Sequence, residues 1–139
     1  MNINITKSLE FKNKYSHKEG NCIENTLELI LKEEIDALCM GFYILYENMA
    51  IKHVWAIKDS EIIETSILDN KKINELGISN LEDRYYVLKK ISVDDIFDMD
   101  FDIDIDEIFT EEEVNTNWEL QINMRNNKGI NGFLNFSLE

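Results

Sequence analysis

The stretch "AIKHVWAIKDSEIIETS", Ala50 to Ser66, decides how this chain is built. Two runs of β-branched and aromatic residues flank "KDS", a turn signal, which is the pattern of a β-hairpin. With the turn at Asp59-Ser60, Ile57 pairs with Ile62, Trp55 with Glu64 and His53 with Ser66. His53, Trp55, Glu64 and Ser66 then project from one face, because alternate strand residues share a side. Glu64 lies diagonal to His53, about 7–8 Å away between backbone positions, a gap that a long side chain spans. A three-residue loop would turn Glu64 to the opposite face.

Working outward, "GFYILYE" (41–47) reads as a strand before this hairpin, with "NM" as the intervening turn signal. Three consecutive antiparallel strands are the simplest arrangement. Upstream, Ile23, Leu27, Ile30, Leu31, Ile35 and Leu38 fall at spacings of three and four from Cys22 onward. That spacing predicts a helix from Cys22 to Leu38. Residues 1–19 read as polar loop, with a short strand or helical turn around Ile5 to Phe11. Downstream, "NKKINELGI" (70–78) reads as a short helix ending at Gly77, and "RYYVLKKI" (84–91) as a fourth strand. Ser92 caps a helical "VDDIFDM" with Asp94 and Asp95 in its first turn. "TEEEVNTNWELQINMR" fits helix or strand, and "GINGFLNFSLE" reads as a final strand. The order predicts an α+β fold: a helix carrying the cysteine, packed on an antiparallel sheet, with additional short helices.

Length and composition bound the rest. At 139 residues, 44% hydrophobic and without proline, linker or repeat, the chain reads as one domain over 1–139, with residues 98–139 as an accessory acidic extension. No apolar run is long enough for a membrane span, and the N-terminus lacks a signal pattern, so a cytoplasmic location is expected. Acidic residues number 28 against 14 basic, a formal charge of −14. Such a chain is repelled by nucleic acid and by anionic membrane, and neither is an expected direct partner. A peptide or protein substrate, or a basic protein, is. Two cysteines outside any C-x-x-C pair argue against both a disulfide framework and a zinc site.

Cys22 opens the predicted helix within "GNCIENT" (20–26). A thiol is a useful nucleophile as thiolate, and an ordinary cysteine has a pKa near ~8.5. Helix-start N–H groups and a neighbouring imidazolium both lower that value. The same N–H groups, with the side-chain amide of Asn21, suit a developing oxyanion. His53 would serve as general base and acid, and Glu64 would fix its tautomer and stabilise its charged form. Trp55 reads as sheet packing beside the site. Cys39 reads as core, and His17 as a surface residue, with an alternative base or a substrate contact as its other readings.

"GNCIENT…HVWAIKDSEIIETS" resembles the papain-like and transglutaminase-like thiol superfamily. The likeness is to small bacterial and phage members with a G-x-C-x-x-N-[AST] helix start and a later H-[AV]-W…[IV]-[DE]-[PT] strand pair. It covers about Gly20 to Thr65 and fades beyond. The resemblance implies Cys22 as nucleophile, His53 as base and acid, Glu64 as the orienting residue and Asn25 as the asparagine one turn into the helix, with no cofactor and no metal. Glu64 stands where aspartate or asparagine is usual, and Thr65 where proline is usual.

"DMDFDIDID" sets Asp98, Asp100, Asp102, Asp104 and Asp106 at alternate positions. On a strand they share one face at intervals of roughly 6.6–6.8 Å, close to the spacing of DNA phosphates. A solvated face that discourages edge aggregation is the default reading, with a partner surface for a basic protein and a DNA-mimicking surface as others. A calcium loop of the EF-hand kind lacks its central glycine here.

Two functions follow. One is thiol-dependent acyl transfer or amide hydrolysis (protease, amidase, deamidase or transglutaminase-like) through Cys22, His53 and Glu64. The other is a non-catalytic acidic interaction protein, such as an inhibitor, immunity or phage counter-defence protein, on the same fold.

Overall fold

The computed structural model describes residues 2–45, 49–66, 84–98 and 135–137. Helix α1 spans Ile5–Tyr15 and α2 spans Cys22–Leu31. Strands β1 (Ala37–Leu45), β2 (Met49–Lys58), β3 (Glu61–Ile63) and β4 (Tyr85–Ser92) follow, then helix α3 (Val93–Asp98) and strand β5 (Asn135–Ser137). The class is α+β. The antiparallel strands run in the order β3-β2-β1-β4, and β5 adds to β2 in parallel. Among the described residues, no helix is long and apolar enough to cross a membrane.

The hairpin has the register that its sequence dictates: Lys58 pairs with Glu61, Ile57 with Ile62 and Ala56 with Ile63. Asp59 and Ser60 both sit at positive φ, 50° and 64°, the geometry of a two-residue turn whose twist matches that of the strands. Asp36 Oδ2 accepts from Asp59 N at 2.9 Å and ties the turn to the start of β1.

Alternation then sorts the sheet into two faces. Leu38, Met40, Val54, Ala56 and Ile63 pack with Phe11, Cys22, Leu29 and Ile30 on the helix side. Cys39, Tyr43, Ile51, Trp55, Ile57, Ile62 and Tyr85 pack on the other, aromatic side. Gly41 lies between them, opposite His53 and beside a register shift against β4. A Cβ there would stand 2.0 Å from the Tyr86 carbonyl oxygen, so the strand needs glycine for its close approach.

Three expectations are corrected. The N-terminal segment, read as loop with a short strand or one helical turn around Ile5 to Phe11, is a three-turn helix over Ile5–Tyr15. Asn4 caps it by accepting from Lys7 N at 2.9 Å, and Ser16 ends it in the left-handed region. Helix α2 stops at Leu31 instead of reaching Leu38: Glu33 takes φ 58°, and Ala37 onward is strand. The helical spacing of Ile35 and Leu38 with the residues before them was coincidental. The buried face of α2 also differs from the predicted apolar stripe: Ile23, Leu27 and Ile30 pack on the core as expected, but polar residues join them and Leu31 does not. Cys22, Asn25, Thr26, Leu29 and Ile30 face inward, while Leu31 is 61% exposed.

Ser92 does cap the helix after β4, its hydroxyl accepting from Asp95 N at 3.2 Å. Asp98 ends that helix, so it does not begin a strand of alternating aspartates. Asp100, Asp102, Asp104 and Asp106 lie outside the described residues, as does the helix expected over 70–78.

Candidate functional site

The hairpin register delivers Glu64 to His53. Their side chains meet at 2.5 Å between Nε2 and Oε1, with His53 0% and Glu64 1% exposed. Because the carboxylate only accepts, Nε2 carries the proton, and the ring's other nitrogen is Nδ1. Two more donors complete the carboxylate: Tyr85 Oη donates to Oε1 at 2.8 Å and Ser66 N to Oε2 at 2.9 Å. Burial pushes the Glu64 pKa up, but the charge and hydrogen bond of His53, the Ser66 N–H and the Tyr85 hydroxyl outweigh it. The net direction is down, and Glu64 is held as a carboxylate.

Aromatic rings close around the pair. The indole of Trp55 stacks on the His53 ring at 5.8 Å, and Tyr43 meets it edge-on at 6.0 Å. A Trp face is favourable to an imidazolium. Burial and the nearby Glu64 carboxylate push the Tyr43 hydroxyl up to about 12, so it stays protonated. The Trp55 N–H is buried without a hydrogen-bond acceptor among the described residues. An orphan donor of this kind costs about 1–3 kcal/mol and is kept where something offsets it.

Cys22 starts α2, ahead of the first helical hydrogen bond from Asn25 N to Asn21 O at 2.8 Å. It is 7% exposed and packs in the helix-side cluster. Cys22 therefore packs on the helix side of β2, whereas the His53 ring packs with Tyr43, Trp55 and Tyr85 on the aromatic side, so the sheet sets the two on opposite faces. Between Ile51, where β5 pairing ends, and Ala56, where β3 pairing begins, β2 has no strand neighbour on that edge among the described residues. The Glu64–Ser66 segment runs on from β3 there, and α2 is fastened to it: Asn25 Nδ2 donates to Ser66 Oγ at 3.1 Å.

The expected support residues divide. Asn21 is exposed and makes no capping bond with its side chain. Asn25 spends its amide on Ser66 Oγ and on the Lys18 carbonyl at 2.9 Å, so it braces the site and is not a ready oxyanion donor. Cys39 is buried on the aromatic side, and desolvation raises its pKa to about 11 despite Lys90. His17, expected at the surface, is 7% exposed.

Tyr85 and Ser8 escape a reading of the sequence. Tyr85 comes from a strand nineteen or more positions beyond the hairpin, and its inward side is set only once β4 is registered on β1. Ser8 Oγ accepts from Glu64 N at 2.9 Å from within α1. Among the described residues, no three metal-binding side chains converge.

Comparison with protein families, with characterised proteins and with solved structures found no match.

Proposed function

We propose that the chain is a thiol-dependent acyltransferase or amide hydrolase with Cys22 as nucleophile, His53 as general base and acid, and Glu64 as its orienting carboxylate. The observation that carries this reading is the buried His53–Glu64 contact, which suits a carboxylate that orients a catalytic imidazole and stabilises its charged form. In the first step the Cys22 thiol gives its proton to His53 and its sulfur bonds to the acyl carbon. The imidazolium returns the proton to the leaving amine or thiol as the old acyl bond breaks. Water or an amine then attacks the thioester, losing its proton through His53 and freeing Cys22. The N–H groups at the start of α2 are the donors suited to the oxyanion.

The test is trapping. An acyl-thioester or peptidyl electrophile should add one acyl mass to the intact protein, mapped to Cys22 and absent from Cys22→Ser. Adduct on Cys39 alone, or none under conditions where a free thiol reacts, contradicts the proposal.

A second reading rests on burial. With Cys22 7%, His53 0% and Glu64 1% exposed, the pair also fits an internal ion pair that holds the hairpin in a non-catalytic acidic binding protein. That protein would tolerate Cys22→Ala in partner capture and lose its basic partner when Asp98 and the aspartates after it become asparagine.

A further inference from the structure

Strand β3 ends at Ile63, yet the residue that matters most to His53 is the next one. Glu64, Thr65 and Ser66 are 1%, 3% and 1% exposed, and side chains from three different segments hold them. Ser8 Oγ of α1 accepts from the Glu64 N–H, and Asn25 Nδ2 of α2 donates to the Ser66 hydroxyl oxygen. Between them, His17 grips Thr65: its Nδ1 lies 2.6 Å from Thr65 Oγ1, and its Nε2 lies 2.8 Å from Glu28 Oε1. Tyr15 stacks on a face of the ring with centroids 5.8 Å apart.

We infer that His17 is a positioning residue, which acts through Thr65 to aim the Glu64 carboxylate at His53. The chemistry of the grip favours this role. Glu28 fixes Nε2 as a donor, and the Thr65 hydroxyl either donates to a neutral Nδ1 or accepts from a protonated one. The contact therefore survives both charge states of His17. A side chain without a hydroxyl satisfies neither. Glu64 and Thr65 are adjacent, so fixing the Thr65 side chain through His17 restricts where the Glu64 backbone, and with it the carboxylate, can sit. Carboxylate–imidazole alignment is sensitive to small displacements of this kind, and misplacement costs roughly 10- to 100-fold in rate.

The inference rests on the proposed thiol chemistry only for its effect on rate; its effect on geometry stands apart. The experiment uses the full chain with Thr65→Val, Thr65→Ser and Glu28→Ala, the last at a side chain 43% exposed that keeps the test open if Thr65→Val does not fold. Two signals are read: the NMR resonance of the His53 Nε2 proton, and the rate of Cys22 alkylation by iodoacetamide. Thr65→Val and Glu28→Ala should move or broaden the Nε2 resonance and slow alkylation, with the circular dichroism spectrum kept. Thr65→Ser should restore both. A resonance that moves while alkylation is unchanged, even in His53→Ala, supports the positioning role and removes the thiol reading. Wild-type resonance in both Thr65→Val and Glu28→Ala overturns the inference.

Discussion

Removing the Glu64 carboxylate should be among the most destabilising single changes this protein can suffer. Glu64→Ala leaves the His53 ring, the Tyr85 hydroxyl and the Ser66 N–H facing a fully buried gap. Deleting one member of a buried ion pair costs about 3–5 kcal/mol, because its partner stays behind uncompensated. Against the ~5–15 kcal/mol that holds an ordinary domain, this is a large share. Glu64→Gln keeps the volume but not the charge, and it points an amide N–H at donors. About 1.5–3 kcal/mol is expected for the charged hydrogen bonds it weakens. Urea denaturation of wild type and both variants measures these differences.

The difference between wild type and Glu64→Gln must also depend on pH with a definite sign. The folded Glu64 pKa lies below its ordinary 4.5, so in the window between the two values the unfolded chain binds the extra proton. Stability from this group is complete above about pH 5 and fades as pH falls through the folded value. A cost under 1 kcal/mol for Glu64→Ala, or a Glu64→Gln difference that is flat from pH 7 to pH 3, would refute the reasoning.

Other expectations follow from single contacts. Ser60→Gly should stabilise the protein by roughly 1 kcal/mol in the same melts, since a left-handed φ of 64° strains serine and not glycine. Gly41→Ala should destabilise by about 1–3 kcal/mol and reduce amide exchange protection along β1 and β4, because its Cβ meets the Tyr86 carbonyl. Cys39 should resist iodoacetamide in the native state: with a pKa of about 11, about one Cys39 in a thousand is thiolate at pH 8, and it is fully buried.

What the sequence reveals here is local. The hairpin is legible because a two-residue turn and strict alternation leave one register, and that register brings Glu64 to the neighbourhood of His53. The start of α2 at Cys22 is legible from composition change. Its end is not, since Ile35 and Leu38 continue a helical spacing across a break made by the backbone at Glu33. The buried polar stripe of α2 is hidden for a different reason. Asn25 faces inward toward Ser66, which meets it from 41 positions along the chain. His17 reads as a surface residue because its anchor, Thr65, is 48 positions away. Long-range satisfaction of polar groups has no periodicity, so no local pattern announces it.

Whether the His53–Glu64 pair acts on the sulfur of Cys22 decides what this protein does. The most direct measurement is the rate of Cys22 alkylation by iodoacetamide from pH 5 to pH 9, in wild type and in His53→Ala, with Cys39 as the internal reference. A rate that stays high into the acidic range in wild type, and drops by roughly 100-fold at pH 6 when His53 is removed, is the predicted result. Superimposable profiles for the two proteins, rising only as an ordinary thiol ionises, would contradict it.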